Sequence, residues 1–102
     1  MQILINTDHN IEGRESLAAR VQDTVEHGLG RFGGRITREE VHLSEQNGDK
    51  GGQDDKRCMM EARVEGRPPA AVSHHAATLD QAVHGAVDKL KKSLESTLHT
   101  SI

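Results

Sequence analysis

Three groups of cations carry the chemistry most open to this sequence. Arg31, Arg35 and Arg38 form one, Lys56, Arg57, Arg63 and Arg67 a second, and Lys89, Lys91 and Lys92 a third. Such clusters are the usual electrostatic footprint of phosphate binding. Cations near helix C-termini also complement the macrodipole, and exposed strands often carry charge, so spacing alone divides evenly between the two readings. With Phe32 the one aromatic residue, the chain lacks stacking platforms for single-stranded bases. That favours reading of structured RNA through its backbone and shape.

The other reactive residue types point to little. His74 and His75 are adjacent on a predicted strand, face opposite ways and cannot chelate one ion together. His84 and Asp88 stand one helical turn apart and could share a ligand, but no third ligand is indicated, so surface histidines are the better account. Cys58 alternates in step with Met60, Ala62 and Val64, where a free thiol behaves as a small hydrophobe rather than a nucleophile. Asp54-Asp55 lies in a Gly-rich loop, a poor base for preorganised catalysis. No nucleophile elbow, zinc-protease helix, P-loop or dinucleotide fingerprint is present. The residues give no reason to expect an enzyme, and none to expect a metal or cofactor.

The chain that must position these cations has 102 residues, with 13 Lys+Arg, 16 Asp+Glu and a formal net charge of −3. Residues 45–55 (EQNGDKGGQDD) carry that whole excess, which leaves the rest neutral. The length suits one compact domain, expected over 1–98 with 99–102 as a tail. Its aliphatic content is thin but sufficient for a core, which argues against disorder. No apolar run reaches membrane-spanning length, and MQILINTDHN lacks the basic start and apolar stretch of a secretion signal. One cysteine fits a reducing compartment, so a cytoplasmic protein is expected.

Element by element, QILIN at 2–6 reads as a short strand. Leu17, Val21, Val25 and Leu29 recur every fourth residue, with Ala18 and Phe32 widening the stripe, which predicts an amphipathic helix from near Gly13 to a stop at Gly33-Gly34. Residues 35–45 read as a strand in which Thr37, Glu39, Val41 and Leu43 oppose Arg38, Glu40 and His42, with Ile36 breaking the parity. Cys58, Met60, Ala62 and Val64 alternate against Arg57, Met59, Glu61, Arg63 and Glu65 in the clearest strand. Gly66-Arg67-Pro68-Pro69 predicts a tight return into an Ala-rich strand at 70–76. Thr78 to Gln81 matches a capping box, ahead of a helix whose stripe is Leu79, Ala82, Val83, Ala86, Val87, Leu90, Leu94 and Leu98. The expected fold is α+β, ordered β-α-β-β-β-α, with a four-stranded sheet and two helices packed on one face.

MQILINTDHNIEGRESL, RFGGRIT and above all AVHGAVDKLKKSL resemble the short ribosome hibernation-promoting factors, also known as ribosome-associated inhibitor A or sigma-54 modulation proteins. The resemblance spans about 1–98 and is most specific over Ala82 to Leu94, where Asp88-Lys89-Leu90 matches the family's D-K-L. It implies the same β-α-β-β-β-α fold. It also implies a non-enzymatic, cytoplasmic factor of translation regulation and stress response. Such a factor binds 16S rRNA in the mRNA and tRNA channel of the 30S subunit and silences or protects idle ribosomes. Lys89, Lys91 and Lys92 match the family's basic second helix, and Arg31 and Arg35 its first helix exit. The chain departs from the family in its acidic 45–55 loop, in lacking an aromatic near Asp80, and in ending ESTLHTSI rather than in a basic run. Fewer cations imply a shallower salt dependence than that of a Lys-rich relative.

DNA and membrane partners are not expected, and the oligomeric state is open. One rival is a protein-protein interaction module on the same fold with a non-ribosomal partner, using Arg57, Met59, Glu61 and Arg63. A second is a small hydrolase or metal-dependent enzyme using His74, His75 or Asp54.

Overall fold

The computed structural model describes residues 1–8, 13–45 and 56–99. Strand β1 (Gln2–Thr7) leads into helix α1 (Arg14–Leu29), and strands β2 (Ile36–Glu45), β3 (Lys56–Val64) and β4 (Ala70–Ala76) follow before helix α2 (Leu79–His99). The sheet order is β1-β2-β3-β4. β1 runs parallel to β2 because a whole helix separates them, whereas β2, β3 and β4 pair antiparallel. Both helices pack on one face, so the α+β arrangement expected from the sequence is the one observed. Of the acidic 45–55 stretch, residues 46–55 lie outside the described residues, as do residues 100–102 of the tail expected at 99–102, whose first residue, His99, closes α2.

Each hydrophobic stripe lands in the core. Leu17, Val21, Val25 and Leu29 of α1 and Ala82, Val83, Ala86, Val87, Leu90 and Leu94 of α2 are buried against Val41 and Leu43 of β2 and Cys58, Met60, Ala62 and Val64 of β3. The side chain of Leu98, the last residue of the predicted stripe, lies outside the described ones. α1 ends sooner than its stripe suggests. Past Leu29 the chain tightens into a 3-10 turn at Gly30–Phe32. Gly33 N–H donates to the Gly30 carbonyl at 3.0 Å and Arg35 N–H to the Phe32 carbonyl at 2.8 Å, which folds Phe32 into the core. The tighter winding satisfies carbonyls that the helix end would leave open.

The parity break at Ile36 is a register shift between Ile36 and Arg38. It turns Ile36 inward and Thr37 outward, so Thr37 is exposed rather than aligned with Val41 as its position suggests. Thr37 Oγ1 donates to the Arg63 carbonyl at 3.2 Å. The β3–β4 return uses Gly66 at φ 74°, with Arg67 N–H on the Val64 carbonyl at 3.1 Å. Thr78 caps α2 by accepting the Gln81 N–H at 3.1 Å.

The helices run in the same direction: Arg20 reaches Asp80 at 3.4 Å near their starts, and Arg31 pairs with Glu95 near their ends. Glycine permits two close approaches beneath them. A Cβ on Gly28 would overlap Val87, and one on Gly85 would overlap the imidazole of His74. His74 faces the helices and His75 the opposite side, as adjacency on a strand requires. Gly85→Ala is therefore expected to cost about 1–3 kcal/mol in urea unfolding, and pairing it with His74→Ala to recover most of that loss.

Candidate nucleic-acid interface

Sheet order sorts the cations by position along the strands. Ile36 opposes Val64, so the start of β2, the end of β3 and the β3–β4 turn share one end of the sheet. The parallel helices finish at that same end. Arg31, Arg35, Arg38, Arg63 and Arg67 thus gather around one pole, and Lys91 and Lys92 approach it along the second half of α2. Lys56 and Arg57 lie at the opposite pole, about 23 Å away along β3. The two sets therefore do not form one patch.

Within the first pole the cations differ in freedom. Arg35 and Arg63 are exposed. Arg35 is fixed through its backbone, its carbonyl accepting the Glu65 N–H at 2.9 Å. Arg31 is committed on two sides, to Glu95 and over the Phe32 ring with 4.8 Å to its centroid. Lys89 stands apart: its Nζ donates to the Ser73 carbonyl at 2.9 Å, on the open edge of β4. Lys91 lines a groove of about 360 Å³ between the helices with Asp23, Thr24, His27, Gly28, His84, Val87 and Asp88.

Arg38, Arg57 and Arg63 belong to the sheet face that no helix covers. Like charges oppose one another there, Arg38 against Arg63 and Glu40 against Glu61. Opposite charges two residues apart offset this, Arg38 Nε lying 3.6 Å from Glu40 and Arg63 Nε 3.7 Å from Glu61. At the far pole Lys56 Nζ is 3.8 Å from Glu45, on the helix side of the sheet.

Among the described residues, the residue types that could support catalysis are not brought together. Among the described residues no group of three or more His, Cys, Asp or Glu is placed to hold a metal ion. Cys58 is fully buried, and its thiol is pushed up to about 12 by burial and by nearby Glu39, so it is not a nucleophile at neutral pH. Asp54 lies outside the described residues. Among the described residues no helix is long and apolar enough to cross a membrane.

One chemically important residue went unmarked in the sequence. Glu39 points into the core with 0 % exposure, and neither carboxylate oxygen has a hydrogen-bond partner. Burial, followed by the charge of Glu61, raises its pKa from 4.5 to about 8, so it is protonated at neutral pH. Its parity with Val41 and Leu43 was the available signal.

Two solved structures share this architecture. The N-terminal domain of Thermus thermophilus Protein Y matches with a TM-score of 0.68 at 23% identity, covering 95% of this chain and 99% of that one. A ribosomal subunit interface protein from Coxiella burnetii matches at 0.71 and 12% identity, covering 97% of this chain and 99% of that one. At these identities the likeness is one of fold. A search of curated proteins finds no match. The model of the sigma 54 modulation protein / S30EA ribosomal protein family matches residues 4–99, nearly the whole chain, and the protein belongs to that family.

Proposed function

We propose that this protein is a non-enzymatic, cytoplasmic ribosome-associated factor that binds the small subunit, contacts 16S rRNA in the mRNA and tRNA channel, and silences or protects idle ribosomes under stress. The observation that carries this reading is the gathering of Arg31, Arg35, Arg38, Arg63 and Arg67, with Lys91 and Lys92, at one pole of a domain of the S30EA family. The fold's likeness to Protein Y and to a ribosomal subunit interface protein supports it. Cations presented on helix ends and strand ends suit the phosphates of a folded RNA, and the scarcity of aromatics suits shape reading over base stacking. The proposed RNA-binding set also includes Lys56 and Arg57 at the opposite pole and Lys89, which is held on the Ser73 carbonyl.

Titration of purified 30S subunits at two salt concentrations tests the proposal. Saturable binding at low salt that weakens steeply as salt rises supports it. Absence of binding at the lower salt overturns it.

The uncovered sheet face supports the second reading, an interaction module for a protein partner. Met59 is 36 % exposed at the centre of that face, flanked by the charges of Arg57, Glu61 and Arg63. A complex that survives nuclease and moderate salt would select this reading.

A further inference from the structure

The two edges of the sheet are treated differently. β4 is guarded by Lys89, whose ammonium occupies the Ser73 carbonyl, a common way of blocking strand addition. β1, reading Gln2-Ile3-Leu4-Ile5-Asn6-Thr7, carries no charge and no proline, and its only neighbour among the described strands is β2. Asp8 N–H donates to the Leu43 carbonyl at 3.1 Å, so by alternation the even-numbered residues turn their backbone groups toward β2. The N–H and C=O groups of Ile3, Ile5 and Thr7 therefore face outward. Beside them an open hollow of about 360 Å³ lies between β1 and α1, lined by Ile5, Thr7, Glu15 and Ala18. Ile3, Leu4 and Ile5 are only half-buried.

We propose that β1 is a self-association edge, on which a second copy of this chain adds its own β1 antiparallel to form a continuous eight-stranded sheet. The strand is chemically palindromic about Leu4: isoleucine stands on either side, and a side-chain amide lies beyond each. A two-fold axis through Leu4 sets Leu4 against its copy, Ile3 against Ile5 of the second chain, and Gln2 against Asn6. This isologous register keeps every side chain on its proper face. It also matches outward backbone groups to outward backbone groups, because the opposed Ile3 and Ile5 are the residues whose N–H and C=O are free to exchange hydrogen bonds. The isoleucines of each copy then face the other's hollow on the helix side, while the leucines meet on the open side. Two short strands make a small interface, so association is weak, in the micromolar-to-millimolar range.

Sedimentation of the full chain across that range, combined with cysteine cross-linking, tests the proposal. Leu4 opposite itself is a non-hydrogen-bonded pair, with Cα atoms about 4.5 Å apart, inside disulfide range. Two copies of position 6 would stand about 14 Å apart. Leu4→Cys is expected to oxidise to a covalent dimer and Asn6→Cys is not, while buried Cys58 takes no part. Leu4→Lys, which sets like charges face to face on an open surface, is expected to stay monomeric with an unchanged circular dichroism spectrum. A single-chain mass at every concentration, or equal cross-linking at positions 4 and 6, overturns the proposal.

Discussion

Replacing Glu39 with methionine is expected to stabilise the domain by roughly 5 kcal/mol more at pH 9 than near pH 4. The sign follows from proton binding. In the unfolded chain the carboxyl releases its proton near 4.5, whereas in the folded core it holds the proton to about 8. Between those values the folded state binds one more proton, so stability falls as pH rises and then levels off above 8. The size is the raised pKa converted at about 1.4 kcal/mol per unit. Such a loss is a large fraction of the total stability of a domain this size. Urea unfolding from pH 4 to pH 9 should show a downward slope for the native chain and a flat one for Glu39→Met over the same window. Glu39→Gln removes the slope but keeps an unpartnered polar group in the core, so it should lie between the two. Equal slopes for all three would show that the carboxyl finds a partner or water. A second loss is expected above pH 9, where an unfolded Cys58 ionises and the folded thiol does not.

The second large effect concerns the basic pole. Neutralising Arg35, Arg63 and Arg67 together as glutamines is expected to weaken binding to 30S subunits at low salt on the order of a thousandfold. Each charge-assisted hydrogen bond to a phosphate contributes about 1.5 kcal/mol. The slope of log affinity against log salt should shrink by about one for each phosphate no longer engaged. These side chains are exposed or half-buried, so stability should hardly move. Arg31 is left out because reaching a phosphate would require it to leave Glu95. Neutralising Lys56 and Arg57, at the opposite pole, should cost much less. If that pair instead costs more, the interface lies at the end of the sheet beside the acidic stretch.

The fold was legible because its signals are local. Alternation placed Cys58, Met60, Ala62 and Val64 on one face, and burial shows them there. The irregular parity at Ile36 announced a disturbance, although its form, a bulge that expels Thr37, needed the register with β3. The candidate site was less legible. That Arg35 and Arg67 are neighbours whereas Lys56 and Arg63 are not depends on which strand ends coincide, and no window of sequence contains that. The pairing of Arg31 with Glu95 depends on two helices running in the same direction, a property of strand order. The parity of Glu39 with Val41 and Leu43 was legible, but its isolation from any hydrogen-bond partner depends on the helix layer that closes over it.

The parallel placement of β1 beside β2 sets an order of assembly. β2, β3, β4 and α2 are neighbours in the chain and meet through antiparallel returns or short turns, so their ordering closes comparatively small loops. β1 reaches β2 only after the whole of α1 has been laid across the sheet. Its loop-closure entropy is not recovered until that docking is complete, and non-local parallel pairing is slow for this reason. The meander with α2 is therefore expected to form the early nucleus, with β1 the last strand to join. A strand that docks last is also the first to leave in a fluctuation, so the β1 amides should exchange with solvent sooner than those of β3, at the sheet's centre.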